Sequence, residues 1–314
     1  MDSHLRRTPI DDDLGLGLQA GRERGVNKDG SFNVRRMGLP RFRPYDLYHH
    51  LITMGWGRFL GLLFLAFLVT NAIFALIYLG IGMEQFTRQG GPAFRERLQD
   101  AFFFSAQTLT TVGYGHISPH GFLANAAAAL ESLLGLLSFA LATGLLYGRF
   151  SRPQACLRFS SLAVMAPYQD FAGFMFRLVN MRSNELIEVE ATVSLSLQDP
   201  ASTTRRFMLL PLERPKIHLF PSSWTVVHPI DETSPLFGLT EADLRHAKAE
   251  FIVLIKAFDD TFSQTIYART SYTAGEVRWG ARFKPMAFIG PDGMTEMDVE
   301  RLDAVEDLAP APRS

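Results

Sequence analysis

The chain has almost no cysteine. Cys156 is the single one among 314 residues, so neither an intrachain disulfide nor a multi-cysteine metal site can form. An excess of charge of one sign is also missing: 31 Lys and Arg against 32 Asp and Glu leave a formal net charge of −1, which gives no footprint for nucleic acid. The eight histidines are scattered, and no nucleophile or phosphate-cradling motif stands out, which argues against an enzyme. Beyond residue 153 no Gly-x-Gly-x-x-Gly follows a strand pattern, so a Rossmann-type ligand domain is not expected. The first 58 residues hold no long apolar run, and the run that follows is too long for a signal-peptide h-region. No internal repeat is found.

What is present is two apolar runs of membrane-spanning length. Phe59 to Met83 is 25 residues without a charge, and Gly121 to Gly148 is 28 residues with Glu131 as its single charge. About 20 apolar residues cross a bilayer, so both are read as spans, helix 59–83 and helix 121–149. Between them, residues 94–109 are amphipathic and too short to span, as expected of a re-entrant pore helix. It leads into Thr110, Thr111, Val112, Gly113, Tyr114 and Gly115. In this context the string reads as a potassium selectivity filter, in which four such loops replace the hydration shell of K+ with backbone carbonyls from Thr111, Val112, Gly113 and Tyr114. The two glycines reach the backbone angles that turn successive carbonyls toward one axis.

Arg35, Arg36, Arg41, Arg43 and Arg58 precede the first span and Arg149, Arg152 and Arg158 follow the second, against Arg88, Arg95 and Arg97 in the connecting loop. By the positive-inside rule both termini are expected in the cytoplasm, with the spans in the inner (plasma) membrane. Tyr45 to Met54 carries apolar residues among Asp46, His49 and His50, which suits an interfacial helix over 45–56. Residues 1–44 are expected to be a polar tail, disordered in part over 1–34.

Beyond the pore domain (57–152), β-branched and aromatic alternation predicts strands at 176–180, 187–197, 206–212, 224–229, 251–258 and 264–273. We read an antiparallel, immunoglobulin-like β-sandwich over 153–300, followed by a tail at 301–314. One helix is expected over 241–248, with Thr240 as its N-cap and Asp243 three residues on.

The filter, together with Tyr-Gly-Arg-Phe-Ser-Arg-Pro (147–153), Ser-Trp-Thr-Val-Val-His-Pro-Ile-Asp-Glu-Thr-Ser-Pro-Leu-Phe-Gly (223–238) and Ala-Arg-Thr-Ser-Tyr (268–272), resembles the inward-rectifier potassium channels, most closely their prokaryotic branch. The resemblance covers residues 27 to about 300. It implies a homotetramer around one pore, no cofactor beyond K+ in the filter, block by Ba2+, and gating linked to anionic membrane phospholipids. Ser132, Leu136, Phe139, Thr143 and Tyr147 share one helix face that matches the family's pore lining, with Tyr147 at its constriction. Gly135 and Gly144 resemble family hinges, although glycines also serve close packing in membrane helices. Trp56, Arg58, Arg149 and Arg152 cluster at the expected inner lipid boundary, and Arg149 and Arg152 align with family lipid-binding positions. The loop that narrows the family's cytoplasmic pore falls at Asp259 to Ser263, including Asp260, with Phe258 as its constricting side chain; a plain hairpin turn is the competing reading.

Glu131 costs roughly 2.5–3.5 kcal/mol at a helix centre on insertion scales, so it is expected to have a hydrogen-bonded structural role near the filter, a protonated, passive Glu being the alternative. Gln107 stands where many relatives carry a filter-bracing Glu, and His116 replaces an Asp outside the filter. Phe139 and Lys256 stand where strong rectifiers are acidic, so strong polyamine block is not expected, although Asp259 and Asp260 offer a weaker cation ring. Competing readings are a K+ channel gated by a soluble ligand and a membrane-anchored enzyme or binding module; the strand pattern, basic flanks and single cysteine oppose them.

Overall fold

The computed structural model describes residues 24–34, 44–87, 93–151, 155–182, 184–199, 205–220 and 222–308. They fall into two compact units, one within Gly38–Arg152 and the other within Met1–Met37 and Pro153–Ser314.

The helical unit contains α1 (Pro44–Thr53), α2 (Trp56–Ile81), α3 (Phe94–Leu109) and α4 (Phe122–Phe150). Helix α1 stops at Thr53, ahead of Gly55, so Trp56 opens α2 and does not close the interfacial helix expected over 45–56. Helix α2 ends one residue before Gly82, whose φ of 104° breaks the helical path two residues earlier than the apolar run suggests. Helices α2 and α4 are long and apolar enough to cross a membrane. Where α2 and α3 meet, Tyr78, Phe86 and Phe104 pack edge to face with ring centroids 5.0–5.4 Å apart. Such pairs contribute about 0.5–1.5 kcal/mol each beyond their buried area. This cluster fixes the short helix against the first long one.

The second unit is a two-sheet sandwich. In the first sheet β3 (Phe171–Asn180) pairs β7 (Ser223–Ile230), β2 (Ala163–Tyr168) and β1 (Leu157–Phe159), and β2 also pairs β10 (Val277–Trp279). In the second, β8 (Glu250–Asp259) lies between β9 (Gln264–Thr273) and β4 (Leu186–Gln198), and β4 also pairs β5 (Arg205–Leu210) and β6 (Lys216–Leu219). Alternate residues Phe251, Val253, Ile255 and Ala257 of β8 point inward, and Phe251 stacks on Phe174 of β3 at 4.1 Å between centroids. The period of two along β8 thus builds the inter-sheet core.

Several sequence-based expectations change. The β2–β10 pair is parallel, a departure from the all-antiparallel expectation. Residues 301–314 are not simply a tail, because β14 (Val305–Asp307) pairs β11 (Ala281–Phe283) and Leu302 is fully buried. Nor is the described part of 1–34 free of structure. Gly25 and Val26 donate their backbone N–H groups to the buried carboxylate of Glu250 at 2.8 and 3.0 Å, and Ser271 donates to the Val26 carbonyl at 2.5 Å. The segment turns at Gly30, where φ is +80° and an added Cβ would lie 2.6 Å from the Arg269 carbonyl oxygen. Beside it Lys28 lies over the Tyr272 ring at 3.7 Å, and burial pushes its ammonium down to about 8. The helix expected over 241–248 spans Glu241–His246 as α5, with the reciprocal Thr240–Asp243 capping box. A further hairpin joins β12 (Ala287–Ile289) and β13 (Thr295–Met297).

Candidate functional site

The pore segment begins where α3 runs out of partners. The carbonyl of Ala106 accepts from Thr110 N at 3.2 Å, and the Gln107 carbonyl accepts from Val112 N at 2.9 Å and Gly113 N at 3.3 Å. Orphan carbonyls at the helix end therefore hold the first filter residues. Gln107 thus meets the segment through its backbone carbonyl. Positive φ falls on every second residue: 61° at Thr111, 51° at Gly113 and 77° at Gly115. Left-handed residues alternating along a strand turn successive carbonyls to one side, the requirement of a carbonyl ladder. Thr111 is β-branched and adopts this conformation against its own preference, at a cost of order 1–3 kcal/mol. Thr110 to Gly115 and His116 are all exposed in the single protomer.

The residues expected to line the pore lie on α4. Leu136, Phe139, Thr143 and Tyr147 are exposed, Phe139 and Tyr147 each at 73%, and Ser132 is half-buried. Thr143 turns its hydroxyl back onto the Phe139 carbonyl at 2.9 Å. Gly135 does not read as a hinge. It is buried, α4 runs through it unbroken, and an added Cβ would sit 2.0 Å from the Leu109 carbonyl oxygen. It is the position where α4 presses on the last turn of α3. Gly144 is exposed with nothing within 4 Å of its Cβ position, and α4 is continuous there too.

One turn from Gly135, Glu131 is completely buried. Tyr78 of α2 donates to one carboxyl oxygen, Ser105 of α3 lies against the other, and Ser105 also meets Asn71 Oδ1 at 3.0 Å. Sequence reasoning placed a partner near Glu131 but missed these three, because Tyr78 and Ser105 lie 53 and 26 residues away. A buried Asn and Ser in apolar helices were the available signal.

At the other end of α4, Arg149 is occupied. Its guanidinium donates to the Leu51 and Met54 carbonyls at 2.6 and 2.7 Å and lies over the Trp56 and Phe59 rings at 4.6 and 4.4 Å. It satisfies orphan carbonyls at the end of α1, a structural role that its expected lipid contact did not include. Trp56 packs on Phe150 at 5.0 Å, Arg58 is exposed, and Arg152 lies outside the described residues. Because a lysine has no planar fork to bridge two carbonyls, Arg149→Lys is expected to loosen α1 from α4. Faster proteolysis within residues 44–55, with the β-domain unchanged, is the result that checks it; equal cleavage would show that the bridge holds nothing.

The loop between β8 and β9 needs a second correction. Asp259 is fully buried and accepts from Asn184 Nδ2 at 2.8 Å and Phe262 N at 3.3 Å, so it braces the hairpin and is unavailable to a cation ring. Phe258 is half-buried, while Asp260 and Ser263 are exposed. Lys256 is exposed and bonds Glu190 at 3.3 Å.

A short re-entrant helix that hands the chain to a strand of alternating handedness, between two helices of spanning length and ahead of a β-sandwich, defines a two-span pore-loop channel. Known families agree. Residues 157–314 match the inward rectifier potassium channel C-terminal domain, and residues 62–152 match the ion channel family. The chain is 38% identical over 297 residues to inward rectifier potassium channel Kirbac3.1 of Paramagnetospirillum magnetotacticum, covering 93% of this chain and 98% of that one. It is 29% identical over 320 residues to ATP-sensitive inward rectifier potassium channel 15 of Homo sapiens (93% and 84% covered). To ATP-sensitive inward rectifier potassium channel 12 of Gallus gallus it is 30% identical over 294 residues (85% and 68% covered). The chain belongs to the inward rectifier potassium channel family: it is a membrane protein and a K+ channel, not an enzyme.

Proposed function

We propose that four copies of the chain surround one axis in the inner (plasma) membrane, both termini in the cytoplasm, and pass K+ through a filter of carbonyls from Thr111, Val112, Gly113 and Tyr114. The observation that carries this reading is the alternation of positive φ at Thr111, Gly113 and Gly115 directly after the pore helix. Ba2+, a divalent ion close to K+ in size, blocks such a path by lodging in it.

Below the filter, Ser132, Leu136, Phe139 and Thr143 line the cavity, and four Tyr147 rings close it by sterics and dewetting. The exposure of Tyr147 in the protomer supports this, since nothing in its own chain covers the ring. With Phe139 and Lys256 at the positions that are acidic in strong rectifiers, and Asp259 buried, rectification by polyamines is weak. Arg58 and Arg152 draw anionic phospholipid headgroups to the inner boundary, each by about 1 kcal/mol. Phe258, Asp260 and Ser263 form the narrowing loop of the β-domain.

Tyr147→Ala tests the gate. It is expected to raise basal Rb+ uptake into vesicles with selectivity for K+ over Na+ retained, because it removes the constriction and leaves the filter alone. Unchanged uptake would place the gate elsewhere.

A further inference from the structure

The cluster behind the filter has a hydrogen to account for. Asn71 Nδ2 donates to the Phe67 carbonyl at 2.7 Å, which fixes the amide: a flipped amide would set its oxygen against that carbonyl oxygen. Asn71 Oδ1 therefore faces Ser105 Oγ, 3.0 Å away, as an acceptor. Ser105 Oγ also lies within hydrogen-bond reach of Glu131 Oε1. Three oxygens in a row, Oδ1, Oγ and Oε1, need two hydrogens between them, and the serine hydroxyl supplies one. Tyr78 cannot supply the other, since its hydroxyl hydrogen goes to Glu131 Oε2. The hydrogen bonds described for the Glu131 carboxyl come from two hydroxyl groups, those of Tyr78 and Ser105.

We infer that Glu131 is a neutral carboxylic acid and the central link of a directional chain. Tyr78 donates to Glu131 Oε2, protonated Glu131 Oε1 donates to Ser105, Ser105 donates to Asn71, and Asn71 donates to the Phe67 carbonyl. The chain ties the pore helix to both spanning helices at one level. The helices α3 and α4 touch there in two successive rungs four residues apart, Ser105 on Glu131 and Leu109 on Gly135. Leu109 is the residue immediately before the filter. Glu131 thus acts as a positioning residue: it sets where α3 ends, and through α3 where the filter carbonyls stand. A neutral chain with every hydrogen placed also avoids an unpaired charge at membrane depth.

This inference rests on the filter assignment; the protonation state is read without ion flux, and the positioning role is read from selectivity. Infrared difference spectra of wild type against Glu131→Gln, in lipid vesicles at neutral pH, are expected to show loss of a carboxylic-acid C=O stretch. Loss of carboxylate stretching bands would overturn the inference. The glutamine amide can accept from Tyr78 and donate to Ser105, so Glu131→Gln is expected to keep K+ over Na+ selectivity in Rb+ uptake. Glu131→Leu, which can do neither, is expected to lose it. Loss of selectivity in Glu131→Gln, or its retention in Glu131→Leu, would remove the positioning role whatever the spectrum shows.

Discussion

Gly113→Asp is expected to abolish K+ flux while leaving an assembled, folded tetramer. Gly113 has φ of +51°, a region where an L side chain costs roughly 1–2 kcal/mol per residue, and the cost recurs in every protomer. Within the protomer nothing lies within 4 Å of the Cβ position, so the substitution does not damage the packing that holds the unit together. What changes is the ladder. A backbone forced out of the left-handed region turns its carbonyl away from the ion, and four carboxylates on one axis add a trap for cations. Size-exclusion elution at the wild-type volume with no Rb+ uptake is the predicted pair of results. Selective uptake by this variant would remove the filter assignment.

Gly135→Ala is expected to be nearly as severe for a different reason. Its new Cβ would lie 2.0 Å from the Leu109 carbonyl oxygen, where carbon and oxygen normally stay about 3.3 Å or more apart even in close C–H contacts. Both partners are rigid helix backbone, so α4 must back away from α3 by more than an ångström. Overpacking of this kind typically costs about 1–3 kcal/mol. The displacement also pulls the end of the pore helix from its place one residue before the filter. A lower thermal midpoint and loss of K+ selectivity are expected together. Gly144→Ala, in open space on the same helix, serves as the control and is expected to match wild type. If Gly135→Ala behaves like Gly144→Ala, the close approach of the two helices has no role in the filter.

How much of this was readable beforehand follows from where each signal lives. The filter was readable because its six residues carry their own backbone requirement, and the spans because a run of 25 or 28 residues with at most one charge has few alternatives. The central strands β4, β8 and β9 were legible from β-branched and aromatic alternation at 187–197, 251–258 and 264–273. Strand β6, four residues reading Lys-Ile-His-Leu with three exposed, has no such period, and it pairs because β4 is long enough to take it beside β5 along one edge. The segment at 24–34 looked like a tail because it is polar; its docking uses backbone amides on Glu250, more than 220 residues away. Arg149 reads as a lipid ligand from its alignment with family positions. Its alignment with basic residues was visible, but its partners Leu51 and Met54 are backbone carbonyls that no composition marks. Asp259 was assigned to a cation ring from its place in the loop, and only burial and the Asn184 contact show it facing inward. Where a local pattern exists it gives the element, and long-range pairing decides the rest.

The most direct test of the central claim is Rb+ uptake by the purified protein in vesicles of defined anionic-lipid content, driven by internal K+, with Na+ and Ba2+ as competitors. The account predicts uptake that Ba2+ blocks, that Na+ does not compete for, and that Tyr147→Ala increases. Uptake that Na+ suppresses as well as K+ does, or none in either wild type or Tyr147→Ala at any lipid composition, would contradict it.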